Sequence, residues 1–382
     1  MSESTLLKIL REASPARKVI EQANQYDMGL ADGEPFPFLA LIGQQEMKLA
    51  LLLSIVNPGI GGVLLIGARG TAKTTAVRSL IDLLPDVTHS LCENGFNCTE
   101  GAIEKDGLSA VCKSCATKFG YQEKLTRQEK MRLIELPLNA RLEDVVGGIN
   151  ERTLAEKGKV RLDKGLLAQA DNHLLYIDEV NLLDDVVLDA ILDASAQGYY
   201  TVRRGPNNLT YRSRFVLTGS MNPEEGTLRP QIMDRFGLRV VVRGLDDPEE
   251  RFEAYEQSLR FRKDSESLSA EFAAATLELA AEIQKAADLL PSVEISAEAK
   301  TAGLEIVRKA KIESGRAEIA MFEAARAHAA SDSRNIATPA DVQAVALLAL
   351  RQRQSPKLAE FFATQQVEDE NLKGLIDSEN GA

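Results

Sequence analysis

The sequence predicts an α/β protein, a parallel-sheet domain followed by a C-terminal all-α domain. Three observations carry this. Short apolar runs alternate with helical patterns, a glycine-bearing loop joins one such run to a helix, and the character of the chain changes after about residue 246.

Taken in order, residues 1–35 hold a short amphipathic piece and enter the turn-rich linker "GLADGEPFPF". "LIGQQEMKLALLLSIVNP" (41–58) spaces Leu, Met and Ala as a helix does and stops at Asn57-Pro58. "GGVLLIG" (61–67) reads as a buried parallel strand, and "TTAVRSLIDLLP" as a helix stopped by Pro85. "RLIELP" (132–137), "HLLYIDE" (173–179) and "RFVLTGS" (214–220) are three further strand candidates. Residues 248–352 are rich in Ala, Leu, Glu and Lys at helical periodicity, with Thr338 as an N-cap before Pro339. Domain limits of 1–246, 247–352 and an acidic, mobile tail 353–382 follow.

The 382 residues are ample for two domains, and 44% hydrophobic with 27% charged residues is ordinary for a folded soluble chain. No apolar run has the length of a membrane span, and no apolar leader is present at the N-terminus, so the cytoplasm is the expected location. A net charge of −12 makes nucleic acid an unfavoured partner despite the basic patches "YTVRRG" and "YRSRF".

"GARGTAKTT" (67–75) departs from G-x-x-x-x-G-K-[ST] at one place, Ala72. Backbone N–H groups of Gly67, Ala68, Arg69, Gly70, Thr71, Ala72, Lys73, Thr74 and Thr75 are expected to wrap ATP phosphates at a helix N-terminus. Lys73 reaches the β- and γ-phosphates and Thr74 ligates Mg²⁺. Ala72 stands just before the helix begins, where φ need not be positive and a single methyl is tolerated, with Gly67 and Gly70 serving the tighter part of the loop. About a hundred residues on, "LLYIDEVNLL" is an apolar strand ending in two carboxylates. Asp178 suits Mg²⁺, through water, and Glu179 suits polarising the attacking water. An Asp-Glu pair at a strand end is by itself a common solvated turn; paired with the loop it indicates an ATPase. On the next strand, Asn222 is placed to sense the γ-phosphate or orient water. Arg235 follows Asp234 in a surface segment, where in an oligomer it can enter the neighbour's site. Arg316, near a helix start in the second domain, can close that domain over the phosphates. An Asp-Arg surface pair or a helical Arg otherwise contributes little.

Together these motifs resemble the AAA+ ATPases, and more narrowly the magnesium chelatase I subunit. The likeness covers nearly the whole chain, through "PFPFLALIGQQEMKLALLL", "GGVLLIGARGTAKTT", "KGLLAQADNHLLYIDEVNLLDD" and the particularly specific "GSMNPEEGTLRPQIMDRFGL". "SGRAEIAMFEAARAHAA" and "ATPADVQAVALLALRQR" are similar to that family's helical lid. The resemblance implies a homo-oligomeric ring, a hexamer, with ATP between subunits, Arg235 as trans finger, Asn222 as sensor 1 and Arg316 as sensor 2. It implies insertions at about 145–168 and, as a hairpin, at about 199–214. It also implies a motor driving Mg²⁺ insertion into protoporphyrin IX, with a von Willebrand A-domain D-type subunit and a large porphyrin-binding H-type subunit as partners. Ala72 departs from the glycine of many such subunits, while related ring ATPases that serve other von Willebrand A proteins carry alanine. An activator of such a protein, or of another chelatase, and a DNA-acting motor are the alternatives. "DASAQ" (193–197) breaks the D-x-S-x-S metal signature, so an integrin-type partner must be another chain.

A second departure is the segment at about 88–120. Cys92, Cys98, Cys112 and Cys115 fall within 24 residues as C-x₅-C-x₁₃-C-x₂-C. In a reducing compartment this spacing points to Zn²⁺, with His89 as a spare ligand. An Fe–S cluster and a loop of reduced thiols are the alternatives, all outside the catalytic set.

Overall fold

The computed structural model describes residues 34–92, 98–148, 164–204 and 207–354. The N-terminal piece, the centre of the 145–168 insertion and nearly all of the acidic tail therefore lie outside the described residues. Helix α1 (Gln45–Val56) precedes β1 (Val63–Ile66) and α2 (Lys73–Arg78). An antiparallel ribbon, β2 (Asp86–Ser90) and β3 (Thr126–Lys130), precedes β4 (Leu133–Leu136) and β5 (Leu174–Ile177). After α3 (Asp185–Gln197) come the hairpin β6 (Tyr199–Arg204) and β7 (Asn207–Arg212), then β8 (Val216–Met221) and β9 (Leu238–Val241). The helical part comprises α4 (Pro248–Lys263), α5 (Ser265–Leu289), α6 (Ala297–Lys309), α7 (Gly315–Ser331) and α8 (Pro339–Leu350).

The central sheet has the order β4-β5-β8-β1-β9, every neighbour parallel. Its strands are apolar on both faces because both faces are covered, which is why they read as continuous runs. Val63 and Leu65 enter one core while Leu64 and Ile66 enter the other; Leu174 and Tyr176 alternate with Leu175 and Ile177 in the same way. Each such buried side chain contributes about 1.5–3 kcal/mol. β9 was not among the strands read from sequence. "LRVV" is too short a run to be told from a loop, and its pairing with β1 decides it.

Helix α1 is buried from Met47 to Val56 because the sheet lies on one side and α5 and α7 lie on the other. Sheet and helical-domain residues thus share one core, joining Leu65 to Phe272 and Met321. Even Lys48 is enclosed, its Nζ donating to the Leu41 carbonyl. Burial lowers its pKa to about 8, with Glu250 opposing the shift. Asn57, which ends α1, donates from Nδ2 to the Glu323 carbonyl of α7 at 3.0 Å.

The start of α2 is as read, but its α-helical geometry ends at Arg78 and continues as a 3₁₀ turn to Leu83. Thr338 and Asp341 close α8 with a capping box, Pro339 standing in the first turn. Asp341 is 1% exposed and accepts from Arg334, Thr338 and the His328 edge, so it also ties α7 to α8. Burial alone would raise its pKa, but hydrogen bonds from Arg334, His328 and Thr338 prevail and hold it far below the usual carboxylate range. A depressed native pKa stabilises the fold above about pH 4, and that contribution is lost as the pH falls further. Asp341→Asn is therefore expected to cost about 3 kcal/mol at neutral pH. The gap between wild type and variant in thermal denaturation should narrow only below about pH 4.

Candidate functional site

At the C-terminal edge of the sheet, β1 feeds the loop 67–72 and α2. Gly67 is required by space, since a Cβ there would lie 2.2 Å from the Val242 carbonyl. Gly70 is required by conformation, with φ of 77°. Ala72 corrects the sequence reading, because it is the N-cap of α2 with φ 62° and ψ 19°, in the left-handed region. The turn must reverse there to aim the loop N–H groups inward, and that backbone costs an L-residue about 1–2 kcal/mol.

Lys73 is 8% exposed and donates from Nζ to the Gly67 and Ala68 carbonyls, each at 2.8 Å, with Thr71 Oγ1 at 3.4 Å. Burial lowers its pKa, while Asp178, Glu225 and Glu179 act the other way. The Thr74 hydroxyl lies 3.2 Å from Asp178 Oδ2. Tyr176 donates to Asp178 Oδ1 at 2.8 Å and stands 3.2 Å from Thr74 Oγ1, and Ser220 donates to the same Asp178 oxygen. Desolvation pushes the Tyr176 phenol pKa up, so it remains a donor. These are hard oxygens around one carboxylate, the donor set that suits Mg²⁺.

Glu179 has φ 50° and ψ 55°, which ends β5 and turns its side chain out of the sheet. Its N–H donates to Ser220 Oγ at 3.1 Å. Left-handed backbone at a non-glycine residue is strain of the kind that collects at working sites. Arg69 lies 3.9 Å from Glu179 and is paired with Glu225. Asn222, 3% exposed, closes the site from β8 and accepts the Glu224 N–H at 3.2 Å. Arg69, Gly70, Thr71, Ala72, Lys73, Thr74, Thr75, Asp178, Glu179 and Asn222 line one cleft of about 230 Å³.

Arg235 and Arg316 are not in it. They line a second cleft of about 180 Å³ that shares no residue with the first. Arg235 is paired with Asp193 at 2.7 Å, and Arg316 is exposed at the start of α7. Within one subunit, Arg316 therefore lies apart from the phosphate loop. Because α7 packs against α1 in the common core, its N-terminus is held beside Arg235 instead.

Tyr176 and Ser220 escaped the sequence reading. The available signal was period two. Tyr176 is two residues before Asp178 on β5, and the β5–β8 register sets Ile177 opposite Gly219, beside Ser220.

The four cysteines converge, with ligand atoms within 4.8 Å of one another. Cys92, Cys98 and Cys115 are buried with Ile103 and Leu125 in a small core of their own. Desolvation pushes the Cys98 thiol up to about 11, and Cys115 is raised likewise. The "ENGFN" stretch between Cys92 and Cys98 lies outside the described residues. His89 is not a spare ligand here. It pairs with Glu129 at 3.1 Å and clusters with His173, because β2 pairs with β3 and directs it toward the sheet.

A family model described as magnesium chelatase, subunit ChlI, matches residues 148–243, and one described as AAA lid domain matches 305–373. The magnesium-chelatase subunit ChlI homolog of Methanocaldococcus jannaschii is 40% identical over 348 residues, 89% of this chain and 90% of that one. Magnesium-chelatase subunit ChlI of Synechocystis sp. is 38% identical over 319 residues, 83% of this chain and 88% of that one.

This chain belongs to the magnesium-chelatase ChlI family.

It is an AAA+ ATPase with a helical lid. A solved structure of a putative ATPase from Cytophaga hutchinsonii shares the fold at 20% identity and a TM-score of 0.51, over 87% of this chain and 90% of that one. A chain from a cryo-EM reconstruction of the complex between subunits BchI and BchD of magnesium chelatase is 34% identical over 86% of this chain and 99% of that one, at a TM-score of 0.45.

Replacing Ala72 by Gly in this ChlI-family chain removes the left-handed strain at a smaller entropic cost. The variant is expected to gain up to about 1 kcal/mol, seen as a higher urea midpoint at constant slope. Its affinity for ATP should change less than about twofold, since the loop N–H groups keep their direction.

Proposed function

We propose that this chain is the ATP-hydrolysing motor subunit of a magnesium chelatase, driving Mg²⁺ insertion into protoporphyrin IX by partner subunits. The observation that supports it most is the Thr74–Asp178 pair set under the phosphate loop, with Glu179 turned into the same cleft. In this reading Lys73 exchanges its loop carbonyls for the β- and γ-phosphates, and Thr74 and Asp178 hold the Mg²⁺ of ATP. Asp178 does so as a carboxylate fixed by the Tyr176 and Ser220 hydroxyls. Glu179 takes a proton from the attacking water and Asn222 orients that water. The N–H groups of residues 67–75 cradle the phosphates.

The second cleft brings Arg235 and Arg316 together, with the fully paired Arg353 behind them, away from the phosphate loop. We assign Arg235 and Arg316 to the neighbouring subunit's ATP in a homo-oligomeric ring, a hexamer. Residues 1–246 form the ATPase domain and 247–352 the lid. A D-type von Willebrand A subunit and an H-type porphyrin-binding subunit complete the machine in the cytoplasm. Family membership supports these partners. Nothing in the cleft geometry selects a porphyrin, which belongs on another chain.

The Glu179→Gln variant should bind ATP and hydrolyse it at least about a hundredfold more slowly, freezing the assembly. Pulled down from its native cell with ATP and Mg²⁺, it should bring both a von Willebrand A subunit and a very large porphyrin-binding subunit. A von Willebrand A protein recovered without tetrapyrrole machinery would move the client elsewhere and leave the ATPase assignment standing.

The cysteine module is read as a closed structural site for Zn²⁺ bound by Cys92, Cys98, Cys112 and Cys115. Four sulfurs from two chain segments, three of them buried, offer no open position for a substrate. Elemental analysis of protein made in zinc-supplemented cells should find about one zinc per chain, lost in Cys112→Ser/Cys115→Ser. The ATP affinity of that variant should be unchanged within about twofold, because the module has its own core.

A further inference from the structure

The chain just beyond α8 makes contacts that none of the assigned roles uses. Arg353 is 0% exposed along its side chain. Its Nε donates to the Ala349 carbonyl at 2.7 Å, which fixes the end of α8. One terminal nitrogen donates to the Asp234 carbonyl at 3.2 Å and to the Asp234 carboxylate; the other donates to the carbonyls of Phe236 and Gly237 at 2.9 and 3.0 Å. All five N–H donors of a guanidinium are thereby engaged, four of them by the three residues that flank Arg235. Asp234 in turn accepts from the Ser314 hydroxyl at 2.7 Å. Ser314 is the N-cap residue of α7 and stands two residues before Arg316. Arg239, 1% exposed, repeats the pattern from β9, donating to the carbonyls of Arg351 and Gln352 at 3.1 and 2.7 Å.

A buried guanidinium is costly to desolvate, and hydrophobic packing would serve stability at least as well. What this arrangement supplies is a fixed geometry. The Asp234 carboxylate is held from the end of α8 by Arg353 and from the start of α7 by Ser314, and it adjoins Arg235. Arg235 and Arg316 come from different parts of the chain, yet both are referenced to this one residue.

We propose that Arg353 is a positioning residue for hydrolysis in the neighbouring subunit: it clamps the lid to the 234–237 segment so that Arg235 and Arg316 reach that subunit's phosphates as a pair. This rests on the reading that these two arginines act in trans. Arg353 touches no nucleotide and works through them. Its own subunit's phosphate cleft shares no lining residue with the clamp.

The test uses the full chain as Arg353→Met, Arg353→Lys and the milder Ser314→Ala, the last keeping the question open should Arg353→Met fail to fold. Steady-state ATPase and fluorescent-nucleotide binding are measured on each. Arg353→Met should lose at least about tenfold in kcat while its nucleotide dissociation constant moves less than about twofold. Arg353→Lys, with three donors, should recover part of the loss, and Ser314→Ala should lose about threefold in the same way. Each variant is then mixed with excess Glu179→Gln subunits, which hydrolyse poorly but carry an intact Arg235–Arg316 pair. Hydrolysis per variant subunit should rise severalfold. No rise for the Arg353 and Ser314 variants, where Arg235→Ala is rescued in the same mixture, would overturn the positioning role alone. If Arg235→Ala is not rescued either, the trans reading itself fails. A loss of nucleotide affinity that matches the loss of kcat would show that Arg353 serves only its own fold.

Discussion

Asp178 accepts hydrogen bonds from three hydroxyls, and each comes from a different strand or loop of the sheet's C-terminal edge. Thr74 brings the phosphate loop, Tyr176 the same strand, and Ser220 the neighbouring one. A carboxylate fixed in this way has one orientation, so the loop, Asp178 and the adjoining Glu179 share a common reference. The strained backbone of Ala72 and Glu179 persists because the surrounding pairing over-determines it. Parallel pairing of β1, β5 and β8 gathers all three contributions at one edge, where the strand ends and helix N-termini converge.

The second constraint is the shared core around α1. Because that helix is apolar on every side, the lid cannot stand apart from the sheet without exposing it. The lid is therefore rigidly placed, and its Arg316 is carried to the Arg235 cleft. A subunit thus carries its phosphate cleft and its Arg235–Arg316 cleft as separate sites. The proposed head-to-tail ring would set the second cleft of one subunit against the first of the next.

The cysteine module follows different physics. Its few apolar residues cannot support an independent fold, which is the usual circumstance for metal stapling. It is attached through β2 and β3, whose His89–Glu129–His173 contacts fasten the ribbon to the sheet. A change in the module is thereby transmitted, if at all, through that ribbon.

What the sequence determined by itself was local chemistry. The loop 67–75, the Asp178–Glu179 strand end, the Asn57 and Thr338 helix boundaries and the clustering of the cysteines all rest on residues close together in the chain, where propensity and spacing act directly. β9, the β2–β3 ribbon, Tyr176 and Ser220 at Asp178 and the company kept by His89 were decided by strand pairing, which involves residues far apart. So were the sign of φ at Ala72, set by where the loop must aim, and the placement of Arg316, set by burial of α1. A short motif states which groups are available. Only the packed structure decides the direction in which each one points, because direction is fixed by contacts whose partners no local window contains.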